Sequence, residues 1–212
     1  EVNVGVLENV LAAAAAADIG RIVYTSSFLA LPPTGAEHPL QSNDYQRTKV
    51  VADRRAREAA GRGAPIVSVY PGVIYGPGPL TEGNLVGRMI ADHLAHRLPG
   101  LIGADRVWSY AFVDDVAKGH VAALERGRIG ERYMLGGENA PQIRVFELLR
   151  DQTGRSLPRR IPSFVAAAFA VAEHMRAALF RKPPLLTPGT VKIFKCDWAL
   201  DSNLAERDLG YR

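Results

Sequence analysis

The sequence has a single cysteine, Cys196, so it can form no internal disulfide and holds no cysteine-rich zinc site. That usage suits a reducing compartment, and the cytoplasm is the expected setting. Long hydrophobic runs are also missing. No window reaches the roughly 18 apolar residues of a membrane span. The longest candidate, "FVAAAFAVAEHMRAALF", is interrupted by Glu173, His174 and Arg176. The opening stretch "EVNVGVLENVLAAAAAADIG" has no initiator methionine, basic flank or cleavage pattern, so it does not read as a signal peptide. Neither sign of charge dominates. There are 26 basic and 22 acidic residues, 21 of the basic ones are arginine, and the net charge is +4. The densest run, "DRRAREAAGR", interleaves both signs as a solvated helix face does, and nucleic acid is not an expected partner. Histidines 38, 93, 96, 120 and 174 show no zinc-like spacing, and His93 and His96 read as solvent-facing. The absence of a G-x-S-x-G pattern argues against an α/β-hydrolase.

What is present is a globular mixture: 47% hydrophobic and 23% charged over 212 residues, enough for a sizeable core. Residues 2–18 read as an alanine-rich helix closed by Gly20. "RIVYTSS" is a short buried strand feeding a loop, and residues 45–60 form a helix with Ser42, Asn43 and Asp44 as candidate caps. Gly61 and Gly63 stop that helix, and "PIVSVYPGVIYGPGPL" reads as a second buried strand. A helix over 84–96 follows, then a strand-like "WSYAF" leading to a helix capped by Asp114 or Asp115. "ERYMLGG" is a third strand, and "IRVFELLRDQTG" and 163–180 are further helices. Strand and helix in alternation argue for an α/β fold with a parallel sheet, which binds ligands beyond the carboxyl ends of its strands. That rule singles out the loops "TSSF" and "YPGVIYGPG". Helix 163–180 is expected to cover the substrate pocket, with weak membrane-surface contact as the rival reading.

Tyr45 stands four residues before Lys49 in "YQRTK", so the two share a helix face. An ammonium beside a phenol favours the phenolate, and such a tyrosine can exchange a proton with an alcohol or carbonyl oxygen. The pair alone is a weak motif, but the other six tyrosines have no lysine at this spacing. Ser27, with Ser26 beside it, ends the strand just upstream and could hold the same substrate oxygen.

Together, "IVYTSSF", "YQRTK", "VYPGVIYGPG" and "FVDDVAKGHVAALERGRIGERYMLGGEN" resemble an extended short-chain dehydrogenase/reductase. The branch they look most like is the dihydroflavonol-reductase-like one to which plant NAD-dependent farnesol dehydrogenases belong. The resemblance implies a partial Rossmann-type parallel sheet, its later strands only, with a small, mainly helical substrate-binding lobe. It implies a triad in which Tyr45 is the acid/base and Lys49 binds the nicotinamide ribose. Ser27 would orient the reacting oxygen, with Ser26 as the substitute. Pro71, Gly72 and Val73 would line the nicotinamide of NAD or NADP, NAD being favoured. Phe28, Leu29, Leu85, Met89 and Phe112 are the candidates for an apolar pocket. Asn3 opens "NVGVLENVL", similar to a helix of the family, with Val6 in a glycine slot.

The resemblance is incomplete. No glycine-rich pyrophosphate turn is present, and Gly76, Gly78 and Gly83 follow the wrong strand. The chain reads as beginning at the family's fourth helix. Residues 1–80 are then expected to be the later part of the dinucleotide-binding domain. Residues 81–212 form the substrate lobe, interleaved with the last sheet strands at 107–137. The expected activity is NAD(P)-dependent hydride transfer on a largely apolar, small-molecule alcohol or carbonyl. A nucleotide-sugar epimerase or dehydratase, a non-enzymatic RNA-binding relative and an inactive fragment are the rivals. Homodimerisation is left open.

Overall fold

The computed structural model describes residues 2–80, 83–180, 184 and 186–212. In chain order the elements are α1 (Val2–Ala16), β1 (Ile22–Thr25), a 3-10 turn (Phe28–Ala30), α2 (Asp44–Gly61), β2 (Ile66–Pro71) and β3 (Val73–Tyr75). Then come α3 (Leu85–Leu94), β4 (Leu101–Ile102), β5 (Val107–Phe112), α4 (Val113–Arg126), β6 (Arg132–Leu135) and β7 (Glu138–Pro141). The chain continues through α5 (Arg144–Thr153), β8 (Arg160–Ile161), α6 (Ser163–Phe180), α7 (Pro188–Phe194) and α8 (Asn203–Leu209).

The α/β expectation holds. β1, β2 and β6 form a parallel sheet in that order, with Val23 opposite Val67 and Val69 opposite Tyr133. A second sheet has the order β3-β5-β7, its first pair parallel and its second antiparallel. β4 and β8 make a short parallel pair. β2 is buried along its whole length, which explains its continuous run of apolar and aromatic residues. Its core, Val67, Val69, Tyr133 and Leu135, packs against Val116 and Ala123 of α4 and Leu209 of α8. α1 and α2 cover the β1 side through Leu7, Ala52 and Ala56, with Tyr24 against them.

Several local expectations change. "PIVSVYPGVIYGPGPL" is two strands in two sheets, β2 and β3, parted at Gly72. A Cβ on Gly72 would sit 2.5 Å from the carbonyl oxygen of Ser109. The apolar run continues through the break, into Val73, Ile74 and Tyr75, although only Val73 of β3 is buried, so hydropathy does not reveal it. α1 ends at Ala16, and Asp18, at φ +51°, takes the left-handed position expected near Gly20. Asp tolerates that region better than most residues. α4 has no side-chain cap. Asp114 and Asp115 lie inside its first turn, where they complement the helix dipole, and Asp115 pairs with Lys118 at 3.3 Å. His93 is buried, not solvent-facing. Its Nε2 donates to the Ser156 carbonyl at 2.9 Å, and its ring meets Phe146 edge-on. His96 is exposed as expected. The Asn3 side chain lies outside the described residues.

Candidate active site

The site is assembled at the carboxyl end of β1 and the start of α2. Asn43 caps α2, its Oδ1 accepting from the Gln46 amide at 2.8 Å. The fully buried Gln46 side chain then works in both directions. Its Nε2 donates to the Leu29 carbonyl at 3.2 Å, and its Oε1 accepts from the Ser42 amide at 3.0 Å. These bonds clamp the first turn of α2, which carries Tyr45, to the 3-10 turn that follows Ser27. Ser27 Oγ accepts from the Leu29 amide at 3.2 Å, and the residue is nearly buried.

Tyr45 is 53% exposed, open to an incoming molecule. One turn on, Lys49 places Nζ 6.0 Å from the centre of the Tyr45 ring, within cation–π reach. Lys49 is half-buried, and that burial lowers its pKa from the ordinary lysine value. It borders a cleft of about 350 Å³ between α1 and β1, lined also by Leu7, Val10, Tyr24 and Thr25. The structure therefore brings together the face-sharing pair that the spacing predicts.

A residue the sequence reading passed over lies beneath them. Asp53 is one turn beyond Lys49, in the run read as a solvated face, yet it is 1% exposed. Its Oδ1 accepts from Ser26 Oγ at 2.8 Å, and its Oδ2 pairs with Arg57 Nε at 3.1 Å. Ser26 is thus occupied as a tie between β1 and α2. Burial, and then the Asp53 charge, push the Tyr24 phenol up to about 12 and raise Tyr70 further still. Arg132 Nε donates to Tyr70 Oη at 2.9 Å and closes the network. The four-residue step from Lys49 puts Asp53 on the same helix face, but nothing in the sequence marks that position as buried.

Pro71, Gly72 and Val73 are buried at the carboxyl end of β2 and the start of β3. Of the apolar candidates, Phe28, Leu29 and Leu85 join one cluster with Val73, Trp108 and Trp198, and the Phe28 ring meets the Trp198 ring edge-on at 5.6 Å. Met89 packs in the next cluster, against Leu101 and Phe146. Leu85 and Met89 both line a small inner cavity of about 10 Å³. It shares Val86, Tyr110 and Val145 with an open cleft of about 230 Å³ between α3 and α5. Phe112 joins neither group; it packs on Tyr75 at 5.6 Å. Among the described residues, none of α6 lines either cavity. Among the described residues no group of histidine, cysteine and carboxylate side chains could hold a metal ion.

With a parallel sheet, loops at its carboxyl edge and a lysine over a tyrosine one turn apart, the fold is Rossmann-like. Residues 1–136 match the NAD dependent epimerase/dehydratase family, and the chain belongs to it. It is 32% identical over 98% of its length to a candidate dihydroflavonol 4-reductase of Synechocystis, covering 64% of that protein. It is 29% identical over 99% of its length to sterol demethylase protein B of Methylococcus capsulatus, covering 67% of it. It also superposes on a nucleoside-diphosphate-sugar epimerase from Pseudomonas aeruginosa with a TM-score of 0.74, at 26% identity. That match covers all of this chain and 68% of that one. The chain thus spans about two thirds of the length of these proteins.

The donors present suit one half of NAD. An ammonium, a phenol and a serine hydroxyl fit ribose hydroxyls and a reacting oxygen. The sequence holds no glycine-rich turn for the pyrophosphate.

Proposed function

We propose that this chain carries the catalytic part of an NAD-dependent oxidoreductase acting on an alcohol or carbonyl of a largely apolar molecule. An isoprenoid alcohol such as farnesol is the first choice, followed by sterol-like and flavonoid-like compounds. The observation that carries the reading is Lys49 set over Tyr45 on a helix turn clamped to the Ser27 loop. NAD, when bound, supplies the hydride acceptor. In the oxidative direction Tyr45, as phenolate, takes the proton of the substrate hydroxyl. Lys49 binds the ribose hydroxyls, with its ammonium 6.0 Å from the Tyr45 ring centre. Ser27 Oγ donates to the reacting oxygen and fixes its position. Pro71, Gly72 and Val73 bound the nicotinamide ring. The apolar character of the substrate is supported by the cluster around Phe28, Leu29 and Leu85, and by the steroid and flavonoid names of the relatives. The proposed split of residues 1–80 and 81–212 follows the same logic, nucleotide side and substrate side.

A second reading, a nucleotide-sugar epimerase, has the Pseudomonas likeness in its favour. It needs polar and basic residues beyond β3, where "GPGPLTEGNLVGRM" supplies only Arg88 as a basic group. The test is a panel of farnesol-like alcohols, sterols, dihydroflavonols and nucleotide sugars, with NAD and NADP, followed by absorbance of the reduced nicotinamide. Turnover of apolar alcohols, abolished in Tyr45→Phe while cofactor affinity stays within about twofold, is expected. Turnover restricted to nucleotide sugars, or full activity in Tyr45→Phe, would overturn the proposal.

A further inference from the structure

Helix α6 is built inside out. Its packed side is narrow and small: Ala166 and Ala170 are buried, and Glu173 below them is buried in a two-bonded pair with Arg176, at 2.8 Å for each bond. Residues 166, 170 and 173 mark one face at helical spacing. The opposite face carries the large apolar side chains. Phe164 is 75% exposed and Met175 is 69% exposed, with Val171 between them on the same stripe. Phe169 and Phe180 are exposed as well, but they lie further round the helix, beside the packed face. A helix folding onto a protein core puts its large apolar residues inward, and α6 does the reverse. α6 packs on α7 through Ala166, Ala170 and Val191, and nothing described covers the outer stripe.

The charge of the chain is concentrated at the same place. Of the 26 basic and 22 acidic residues, six and one fall within 155–182, leaving 20 against 21 elsewhere. The six are Arg155, Arg159, Arg160, Arg176, Arg181 and Lys182, and the one acid is Glu173. Arg160 is paired with Asp105, and Arg176 with Glu173. Arg155 also donates to the His93 and Leu94 carbonyls at the end of α3, which leaves Arg159 just ahead of α6 and, in the sequence, Arg181 and Lys182 just after it. No described helix is long and apolar enough to cross a membrane. An 18-residue helix lying flat, about 27 Å long, needs only an apolar side and basic flanks.

We propose that α6 is a membrane-surface helix that seats its outer stripe in the headgroup layer of an anionic bilayer, its flanking arginines on lipid phosphates. The charge decides between lipid and a second copy. Two copies stacked through this face would bring the most basic part of the chain against itself, whereas an anionic leaflet complements it. The inference is independent of the oxidoreductase reading, since α6 lines neither substrate cavity.

The experiment uses the whole chain with a Phe164→Trp substitution. Trp108 and Trp198 are each 2% exposed, so the new indole is the one that senses the surface. Vesicles of phosphatidylcholine are compared with vesicles in which about a third of the lipid is phosphatidylglycerol. Expected are co-sedimentation with the anionic vesicles, a blue shift of the emission there, and release by salt. The double substitution Val171→Ser with Met175→Ser, both at exposed positions of the stripe, should weaken vesicle binding by about tenfold or more with an unchanged circular dichroism spectrum. Equal binding to both kinds of vesicle would overturn the proposal, as would no binding to either. So would a dimer, seen by light scattering, that the double substitution dissociates while vesicle binding stays absent.

Discussion

At the residue scale, Asp53 shows how a buried charge directs its neighbours. Asp53→Asn keeps the shape and the bond from Ser26 but removes the charge. It should lower the Tyr24 pKa from about 12, because the Asp53 charge is the second cause of that shift after burial. A spectrophotometric titration reads this directly. The same substitution should cost about 1–3 kcal/mol in urea unfolding, since an amide nitrogen now faces Arg57 Nε. Lys49 offers a pH test. Its folded pKa is lowered by burial, so within the window just below the ordinary lysine value the unfolded chain binds more protons. The Lys49 contribution should therefore make stability rise with pH across that window, against the opposite slope that the raised Tyr24 and Tyr70 phenols add above the ordinary tyrosine value. Lys49→Met should remove that contribution and be more stable near neutral pH, while losing activity. Urea midpoints of both proteins measured from pH 7 upward check the sign, and a gap between wild type and Lys49→Met that does not narrow as pH rises would contradict it. Tyr45 and Lys49 were legible in the sequence because a four-residue step has one geometric meaning on a helix. Asp53 and His93 were not. An acid among arginines, or a histidine on a polar helix, looks like surface until its tertiary partners Ser26 and Ser156 are known.

At the scale of elements, helices were easier to read than strand boundaries. The capped helix at 44–61 announces itself by Asn43 before it and Gly63 after it. The split between β2 and β3 leaves no such mark, because proline, glycine and buried valines suit either one strand or two. The structure makes the split testable. Gly72→Ala would force a Cβ to within 2.5 Å of the Ser109 backbone oxygen, which cannot swing aside as a side chain could. A loss of more than about 3 kcal/mol, or failure to accumulate in soluble form, is expected. Gly78→Ala is the control, since nothing lies within 4 Å of its Cβ position, although its φ of +136° carries a backbone penalty. Gly72→Ala should be the worse of the two.

At the scale of the whole molecule, alternation of strand and helix revealed the sheet, and the resemblance revealed the family. What composition could not reveal was distribution. A net charge of +4 looked bland, yet it resides almost entirely in one segment. The donors of the candidate site fit the ribose–nicotinamide half of NAD, and the sequence has no glycine-rich turn for the rest. Nicotinamide mononucleotide and NAD should therefore bind this 212-residue chain with similar, weak affinity, near the millimolar range of about −4 kcal/mol. Calorimetry tests this. An NAD affinity more than about tenfold above that of the mononucleotide would place adenosine recognition in a loop read here as structural.

The sheet order β1-β2-β6 also sets a timetable for synthesis. β2 pairs with β1 on one edge, but Val69 waits for Tyr133, made 64 residues later, on the other. At about 5–20 residues per second on a ribosome, that is roughly 3–13 s during which a strand buried along its whole length in the finished fold has an open edge. Throughout that interval the nascent chain presents a template for wrong pairing. Its yield in a cell should accordingly depend on chaperone supply and on translation speed between codons 72 and 132, more than on the stability of the finished fold.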